Sequence, residues 1–394
     1  MKEMIRYGIV GLGNQGTNYA LNLFEKGKIK DSIVTAMCDI NPKKIERMKS
    51  QTKMNVEYFI DYKAMVDSGL IDALLVETPH YIHPEIAEYA LTHNVHVILE
   101  KPAGVYTKQV RLLNEIASKS NLQFTMMFNQ RTNCVYRAMR KMILDGKIGE
   151  FQRVTWIITD WFRTKHYYDT DAWRATWKGE GGGVLINQCP HQLDLVQWVI
   201  NKSPIAVHGF CQYGKWHDIE VEDEVTAFFE YDNGATGVFI TTTGETPGTN
   251  RLEVSGTLGK LICENDELYF YENDMDSQKF SLTSNESFSR PNIKKVKIET
   301  DNENPQHAGI INNFSAALLG KEKLFINGQE GIKGVELMNA IELSGWLNGQ
   351  RVALPVDEEL YLKHLNEHCL TSSYHEDEDD IMIEDMTSSY GLKK

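Results

Sequence analysis

Ile5-Arg6-Tyr7-Gly8-Ile9-Val10-Gly11-Leu12-Gly13-Asn14-Gln15-Gly16 is the stretch from which the fold is read. A strand-like apolar run ends in glycines at G-x-G-x-x-G spacing, and a helix pattern over 17–26 follows. Each glycine answers a separate need: Gly11 a tight turn, Gly13 close approach of backbone to a pyrophosphate, Gly16 close packing of helix on strand. The helix start adds free N–H groups and the positive end of its dipole. A glycine loop alone is a weak signal, so its surroundings decide. Apolar runs at 33–38, 73–76, 95–99 and 124–128 alternate with helix patterns at 42–49, 62–67, 84–92 and 108–118. Pro42 and Pro84 stand where a first helical turn tolerates proline. Short buried strands alternating with helices make an α/β unit, a Rossmann-type doubly wound parallel sheet over residues 1–127.

Asp39 follows the second strand, where such sheets set a carboxylate against a ribose. It accepts from both ribose hydroxyls and repels a 2′-phosphate, and Ile40-Asn41-Pro42 bring no arginine to hold one. NAD is expected rather than NADP. Gly11, Gly13, Asn14, Gln15, Gly16 and Asp39 are the first candidate cofactor contacts.

At 394 residues the chain exceeds one ordinary hydrophobic core, so two domains are expected. Its net charge of −14 leaves no basic face for nucleic acid or an anionic membrane, and neither partner is expected. The cysteines at 38, 134, 189, 211, 263 and 369 form no C-x-x-C pair, which argues against zinc or a redox dithiol. No metal is expected. Scattered thiols, with no signal-peptide core and no bilayer-length apolar run, read as a cytoplasmic protein.

Beyond residue 128 the rhythm changes. A helix pattern at 136–145 precedes alternating segments at 151–159, 206–213, 224–231, 236–243 and 252–255. Asp232-Asn233-Gly234 between two of them is a hairpin turn signal. Residues 183–200 read as one apolar helix. The expected second unit, 128–370, is a catalytic α+β domain on a large, mainly antiparallel open sheet. Residues 371–394 carry Glu376-Asp377-Glu378-Asp379-Asp380 and are expected to be a mobile acidic tail.

Removing hydride from an alcohol carbon leaves a proton on oxygen, so a base must stand near a nicotinamide. Glu100-Lys101-Pro102 ends the fourth of these strands, at the edge where such sheets bind ligands. Lys101 there is suited to hydrogen-bond a hydroxyl and stabilise a developing alkoxide. In Gly181-Gly182-Gly183-Val184-Leu185-Ile186-Asn187-Gln188-Cys189-Pro190-His191, Asn187 and His191 share a face if the segment is helical. Pro190 demands a kink or a helix start there. His191 has an intrinsic pKa fit for acid–base work.

The glycine loop, Thr78-Pro79 with His83, Glu100-Lys101-Pro102, Trp173-Arg174, Gly-Gly-Gly before His191-x-x-Asp194, and Glu222-Asp223 occur in this order. The chain thereby resembles the glucose–fructose oxidoreductase/inositol dehydrogenase (Gfo/Idh/MocA) family nearly to residue 365. The resemblance implies that Lys101 and His191 are catalytic and that nicotinamide lies between the domains near Trp173-Arg174. Thr78, Pro79, His83, Glu100, Lys101 and Gln130 join the candidate cofactor contacts. It also implies a homodimer or homotetramer joined through the open sheet. One departure stands out: many relatives carry aspartate four residues before the histidine, where this chain has Asn187. Asparagine orients a hydroxyl but holds no charge. Asn187, with Thr176-Trp177-Lys178-Gly179 before it, also resembles some nucleotide-sugar 3-dehydrogenases.

Trp156, Trp161, Arg163, His166, Tyr167, Tyr168, Trp173, Arg174 and Trp177 crowd one stretch. Aromatic platforms with a few donors suit the apolar faces and hydroxyl rims of sugars. Arg163, His166, Trp173, Arg174 and Asn187 are therefore candidate substrate contacts beside Lys101 and His191. His307, at the start of an apolar helix, is a further candidate. The expected activity is NAD-dependent interconversion of a secondary hydroxyl and a ketone on a sugar, glycoside or cyclitol. The rivals are a nucleotide-sugar 3-dehydrogenase, an enzyme that recycles bound NAD while processing a glycoside, and a non-catalytic NAD-binding regulator.

Overall fold

The computed structural model of the protein describes residues 4–374. β1 (Ile5–Val10), β2 (Ser32–Cys38), β3 (Glu57–Phe59), β4 (Ala73–Val76), β5 (His96–Leu99) and β6 (Phe124–Met126) pair in parallel, in the order β3-β2-β1-β4-β5-β6. Chain order reverses between β1 and β4, which opens a crevice at the strands' carboxyl ends. β4 is buried throughout, as its unbroken Ala73-Leu74-Leu75-Val76 requires between two helix layers. β3 escaped the sequence reading because three half-exposed edge residues carry no period. The helix after the glycine loop begins at Asn14, earlier than its pattern, and widens to five-residue turns over Tyr19–Phe24.

The second sheet contains β7 (Phe151–Ile158), β8 (Ala206–Tyr213), β9 (Glu222–Glu230), β10 (Thr236–Thr242), β11 (Asn250–Gly256), β12 (Gly259–Glu264), β13 (Glu267–Asn273), β14 (Ile293–Ile298) and β15 (Val352–Ala353). Their order is β14-β13-β12-β11-β7-β10-β9-β8-β15, antiparallel except where β10 lies parallel to β7. Buried and open positions alternate along β9, so one face is covered and the other is not. The helix Gly331–Trp346 packs closely on the covered face. A Cβ at Gly209 of β8 would lie 2.3 Å from the Ile341 carbonyl oxygen. On the uncovered face Phe210 and Phe228 are 56% and 38% exposed.

The apolar segment 183–200 is two helices, Val184–Asn187 and Pro190–Ile200. Pro190 lacks an N–H and disfavours a helical residue before it, so it opens the second helix instead of continuing the first. Late in the chain, Gln306–Leu318 returns to the first sheet, where Ser315 Oγ lies 2.8 Å from the Tyr7 hydroxyl. Thr125 Oγ1 of the first sheet donates to the Ile326 carbonyl at 2.8 Å. The first sheet thus draws part of its cover from beyond residue 300. Ser373 N donates to Glu220 Oε2 at 2.9 Å. The acidic run 376–380 lies outside the described residues. Among the described residues no helix is long and apolar enough to cross a membrane.

Candidate active site

The glycines behave as their spacing requires. Gly11 has φ +94°, and a Cβ there would meet the Glu77 carbonyl oxygen at 2.3 Å. A Cβ at Gly16 would sit 1.9 Å from the Gly11 oxygen, whereas one at Gly13 would meet nothing within 4 Å. Helix and strand therefore touch at Gly16, and the loop stays open at Gly13. Asp39, 6% exposed, accepts from Leu12 N at 2.7 Å and Asn41 N at 2.8 Å, which fixes its carboxylate at the foot of the loop. Arg47, from the next helix, donates through Nη2 to the Leu12 carbonyl at 2.5 Å and to Thr17 Oγ1 at 3.2 Å. Sequence reading confined to Ile40-Asn41-Pro42 missed it, because a helix turn later in the chain brings it in.

Buried polar atoms without partners line this edge: Asn14 Oδ1, Gln15 Nε2, Thr78 Oγ1 and both Glu77 carboxylate oxygens. Buried polar groups left unpaired cost ~1–3 kcal/mol each, so such a row fits a polar ligand. A dinucleotide suits it: the open glycine edge for the pyrophosphate, Asp39 for a ribose, and these atoms for the remaining hydroxyls and amide.

Lys101 follows β5 through a cis bond to Pro102, and its Nζ donates to the Asn187 carbonyl at 3.1 Å. Glu100 accepts from Lys101 N at 2.9 Å and from the Tyr19 hydroxyl. Burial and the Glu100 charge push the neighbouring Glu77 well above the usual carboxylate range. His83 is buried, with Nδ1 2.8 Å from the Pro102 carbonyl oxygen and Nε2 2.6 Å from that of Thr78. It ties the turn at Thr78-Pro79 to the turn at Lys101-Pro102. Gln130 donates to Gln306 Oε1 at 3.1 Å, beside His307.

His191, in the first turn of Pro190–Ile200, is 5% exposed, and neither ring nitrogen has a partner. Burial and the nearby charges of Lys101 and His307 hold its pKa well below the ordinary value. Burial and these charges thus favour the uncharged form of the imidazole. His307 stacks obliquely at 5.5 Å from Tyr19, and burial with the Lys101 charge pushes it down to about 4. Asp194 of the His-x-x-Asp pattern faces away into a buried clamp. Its carboxylate takes Arg131 Nε at 2.8 Å and Nη2 at 2.6 Å.

The opposite wall is built from 161–191. Trp173 stands edge-on to His80 at 5.6 Å. Arg174 lies over the rings of Trp173 and Tyr167, at 4.9 and 4.8 Å, and bonds Asp171 Oδ2 at 3.0 Å. Arg163 is held further out, over Trp161 and Tyr167, and its Nη1 donates to its own loop's Phe162 carbonyl at 3.1 Å. His166 is exposed. The amide of Asn187 donates to Glu180 Oε1, and Ala175 N donates to Glu180 Oε2 at 2.6 Å. Glu180 was not singled out from sequence, since a lone acid before three glycines carries no spacing signal. Glu77, Tyr19 and His80 were missed for the same reason.

Both halves of the chain are similar to known proteins. Residues 5–128 match the oxidoreductase family with an NAD-binding Rossmann fold, and residues 136–262 match the GFO/IDH/MocA C-terminal domain. An inositol 2-dehydrogenase from Rhizobium meliloti is 23% identical over 340 residues, covering 85% of this chain and 95% of its own. The WlbA dehydrogenase from Bordetella pertussis, solved with NADH and UDP-GlcNAcA, superposes with a TM-score of 0.75 at 23% identity. That match covers 90% of this chain and 99% of the other. Levoglucosan dehydrogenase with NADH and levoglucosan superposes at 0.70 with 18% identity, covering 89% and 99%. With both halves matched in order around a cradle cut for a dinucleotide, the chain belongs to the Gfo/Idh/MocA family of NAD-binding oxidoreductases.

Proposed function

We propose that the protein interconverts a secondary hydroxyl and a ketone on a sugar, glycoside or cyclitol, with Lys101 and His191 as the acid–base pair. The observation that carries this reading is the buried His191, with both ring nitrogens unpartnered, within reach of the Lys101 charge at the cofactor edge. NAD bound along the glycine loop supplies the hydride acceptor. Lys101 hydrogen-bonds the substrate oxygen and offsets the negative charge that grows there as its proton leaves. His191 takes that proton and returns it in the reverse direction. Burial of His191 keeps bulk water from competing for the proton.

NAD is preferred to NADP in this reading because the Asp39 carboxylate, fixed by two N–H bonds, meets the ribose where a 2′-phosphate would sit. Trp173 and Arg174 form the wall against which nicotinamide and substrate lie. Arg163, His166 and the Asn187 face contact the substrate further out. The uncovered sheet face with Phe210 and Phe228 joins subunits into a homodimer or homotetramer, and six free cysteines suit a cytoplasmic setting. The domain limits read from sequence, 1–127, 128–370 and 371–394, remain our proposal for this chain.

A nucleotide-sugar substrate is the second reading, favoured by the likeness to the WlbA dehydrogenase and by the donors Arg163 and Arg174 on the outer wall. One experiment separates the two: NADH absorbance on mixing enzyme and NAD⁺ with inositols, hexoses, glycosides and nucleotide sugars. Turnover of an uncharged carbohydrate supports the first reading, and turnover confined to nucleotide sugars replaces it with the second. Silence across the panel, with NAD⁺ bound, overturns both in the oxidising direction.

A further inference from the structure

The residue four before His191 is the uncharged Asn187, yet a carboxylate is present at the site. Glu180, 2% exposed, accepts the Asn187 side-chain amide on Oε1 and the Ala175 N–H on Oε2 at 2.6 Å. The main-chain carbonyl of Asn187 accepts Lys101 Nζ at 3.1 Å. Carboxylate and ammonium are thus bound to the two ends of one residue. We propose that Glu180 is a positioning residue for Lys101, supplying through Asn187 the negative charge that keeps Lys101 an ammonium ion facing the substrate oxygen. This rests on the reading of Lys101 and His191 as the reacting pair.

The glycines make the contact. Gly181 has φ +88° and Gly182 φ +153°, backbone that side-chain-bearing residues rarely adopt. A Cβ at Gly183 would meet the Glu222 carbonyl oxygen at 2.1 Å. This bend folds Glu180 back onto a residue seven positions later. The choice of asparagine follows: an aspartate at 187 would press a second carboxylate against Glu180, and like charges in contact cannot both ionise in a buried site. One acid is kept, at 180 instead of 187.

Other charges bear on both groups. Glu180 faces Arg174, Lys101 and Glu222, with Tyr168 nearby and the His80 Nδ1 3.2 Å from its carbonyl oxygen. Burial pushes its pKa up to about 7, against the pull of Arg174 and Lys101. Burial lowers Lys101, and Glu100, Glu180 and Cys189 oppose that while Arg174 adds to it. Glu77, His80, His83, His191 and His307 complete the groups that sense its charge. Glu100 is the larger counter-charge, but its oxygens are committed to Tyr19 and to the Lys101 amide. Glu180 acts from the substrate wall.

The test reads the charge on Lys101 without any substrate. Full-length protein, with and without NAD⁺, is labelled with trace acetic anhydride from pH 6 to 10, and acetylation of Lys101 is measured by mass spectrometry against exposed Lys26. In Glu180→Gln the onset of Lys101 reactivity moves down by about one pH unit, so labelling above about pH 8, where the Glu180 carboxyl is ionised, rises about tenfold. Asn187→Asp placed in that variant returns the onset to its original pH, because it restores a carboxylate beside the lysine. An unmoved onset in Glu180→Gln overturns the proposal. So does a shift that persists in the double variant, which would mark Glu180 as packing. Retention of turnover by Lys101→Met would instead sink the underlying reading, whatever the labelling shows.

Discussion

The two walls of the cleft differ in how complete they are by themselves. Along the carboxyl ends of β1, β4 and β5, Asn14, Gln15, Glu77 and Thr78 present buried polar atoms with no partner in the protein. Across the cleft, Arg163, Arg174, Glu180 and Asn187 are bonded to their own segment. A wall with unmet hydrogen bonds is cut for a ligand that meets them. The second wall meets most of its hydrogen bonds internally, the His191 ring and Trp161 Nε1 excepted, and so offers a ligand mainly shape and field with one open imidazole. In the function proposed above, the first wall takes the cofactor and the second faces the substrate.

Substitutions at the junction and on each wall would break or sharpen this contrast. The largest effect is expected from Lys101→Met at the junction of the walls, which should cut turnover by at least about 1,000-fold. NAD⁺ affinity measured by calorimetry should stay within about threefold, since the lysine serves the substrate oxygen. Next is Gly16→Ala on the first wall. Its Cβ would collide with the Gly11 oxygen at 1.9 Å, so NAD⁺ affinity should fall at least about 100-fold as the loop is pushed off its helix. Retained affinity in that variant would show that the loop is not where the pyrophosphate lies. Asp39→Asn should weaken NAD⁺ about tenfold and narrow the preference over NADP⁺, checked by parallel titrations with both.

The smallest effect is on stability and belongs to the second wall. Burial pushes Glu180 and Glu222 up to about 7, above an ordinary 4.5. The folded chain thus holds protons that the unfolded chain releases. Their stabilisation is complete below about pH 4.5 and is lost as pH rises through about 7. His307, pushed down to about 4, works oppositely and loses its contribution only as pH falls below about 6.5. Denaturant unfolding should therefore show stability falling from pH 6.5 to 8, with Glu222→Gln removing about 1 kcal/mol of that fall. An unchanged slope would mean that Glu222 is ionised in the folded chain.

The first wall was legible in sequence because its chemistry is local. Gly11, Gly13 and Gly16 act within one turn of chain, and Asp39 ends the next strand, so spacing alone predicts their relation. Alternating apolar runs likewise identified all but β3 of the first sheet. The second wall depends on contacts that spacing does not encode. Glu180 meets Asn187 only because Gly181 and Gly182 take backbone open to glycine, and Arg47 reaches the loop from a helix whose face is set by packing. The reading of 183–200 as one helix failed at the residue it had already marked as awkward: Pro190 opens a second helix and presents His191 in its first turn. β12, β13 and β14 were missed because none alternates cleanly in sequence: β12 buries Leu261-Ile262-Cys263 in a row, and β14 is mostly exposed lysine-rich chain beyond a short helix.

The return of Gln306–Leu318 to the first sheet has a consequence for dissection of the molecule. Ile310, Ile311 and Phe314 are buried there, and Ser315 meets Tyr7. A fragment ending near residue 128 carries the whole glycine loop and Asp39, yet it lacks the helix whose Ser315 meets Tyr7 of β1 and Ser32 of β2. Expressed alone it would present the face beneath that helix to solvent and to its own copies, and binding of NAD would be weakened through association although the glycine loop and Asp39 are in place. Supplying residues 300–340 on a separate chain should restore it. The first sheet is thus tied to a helix that lies far from it in the sequence.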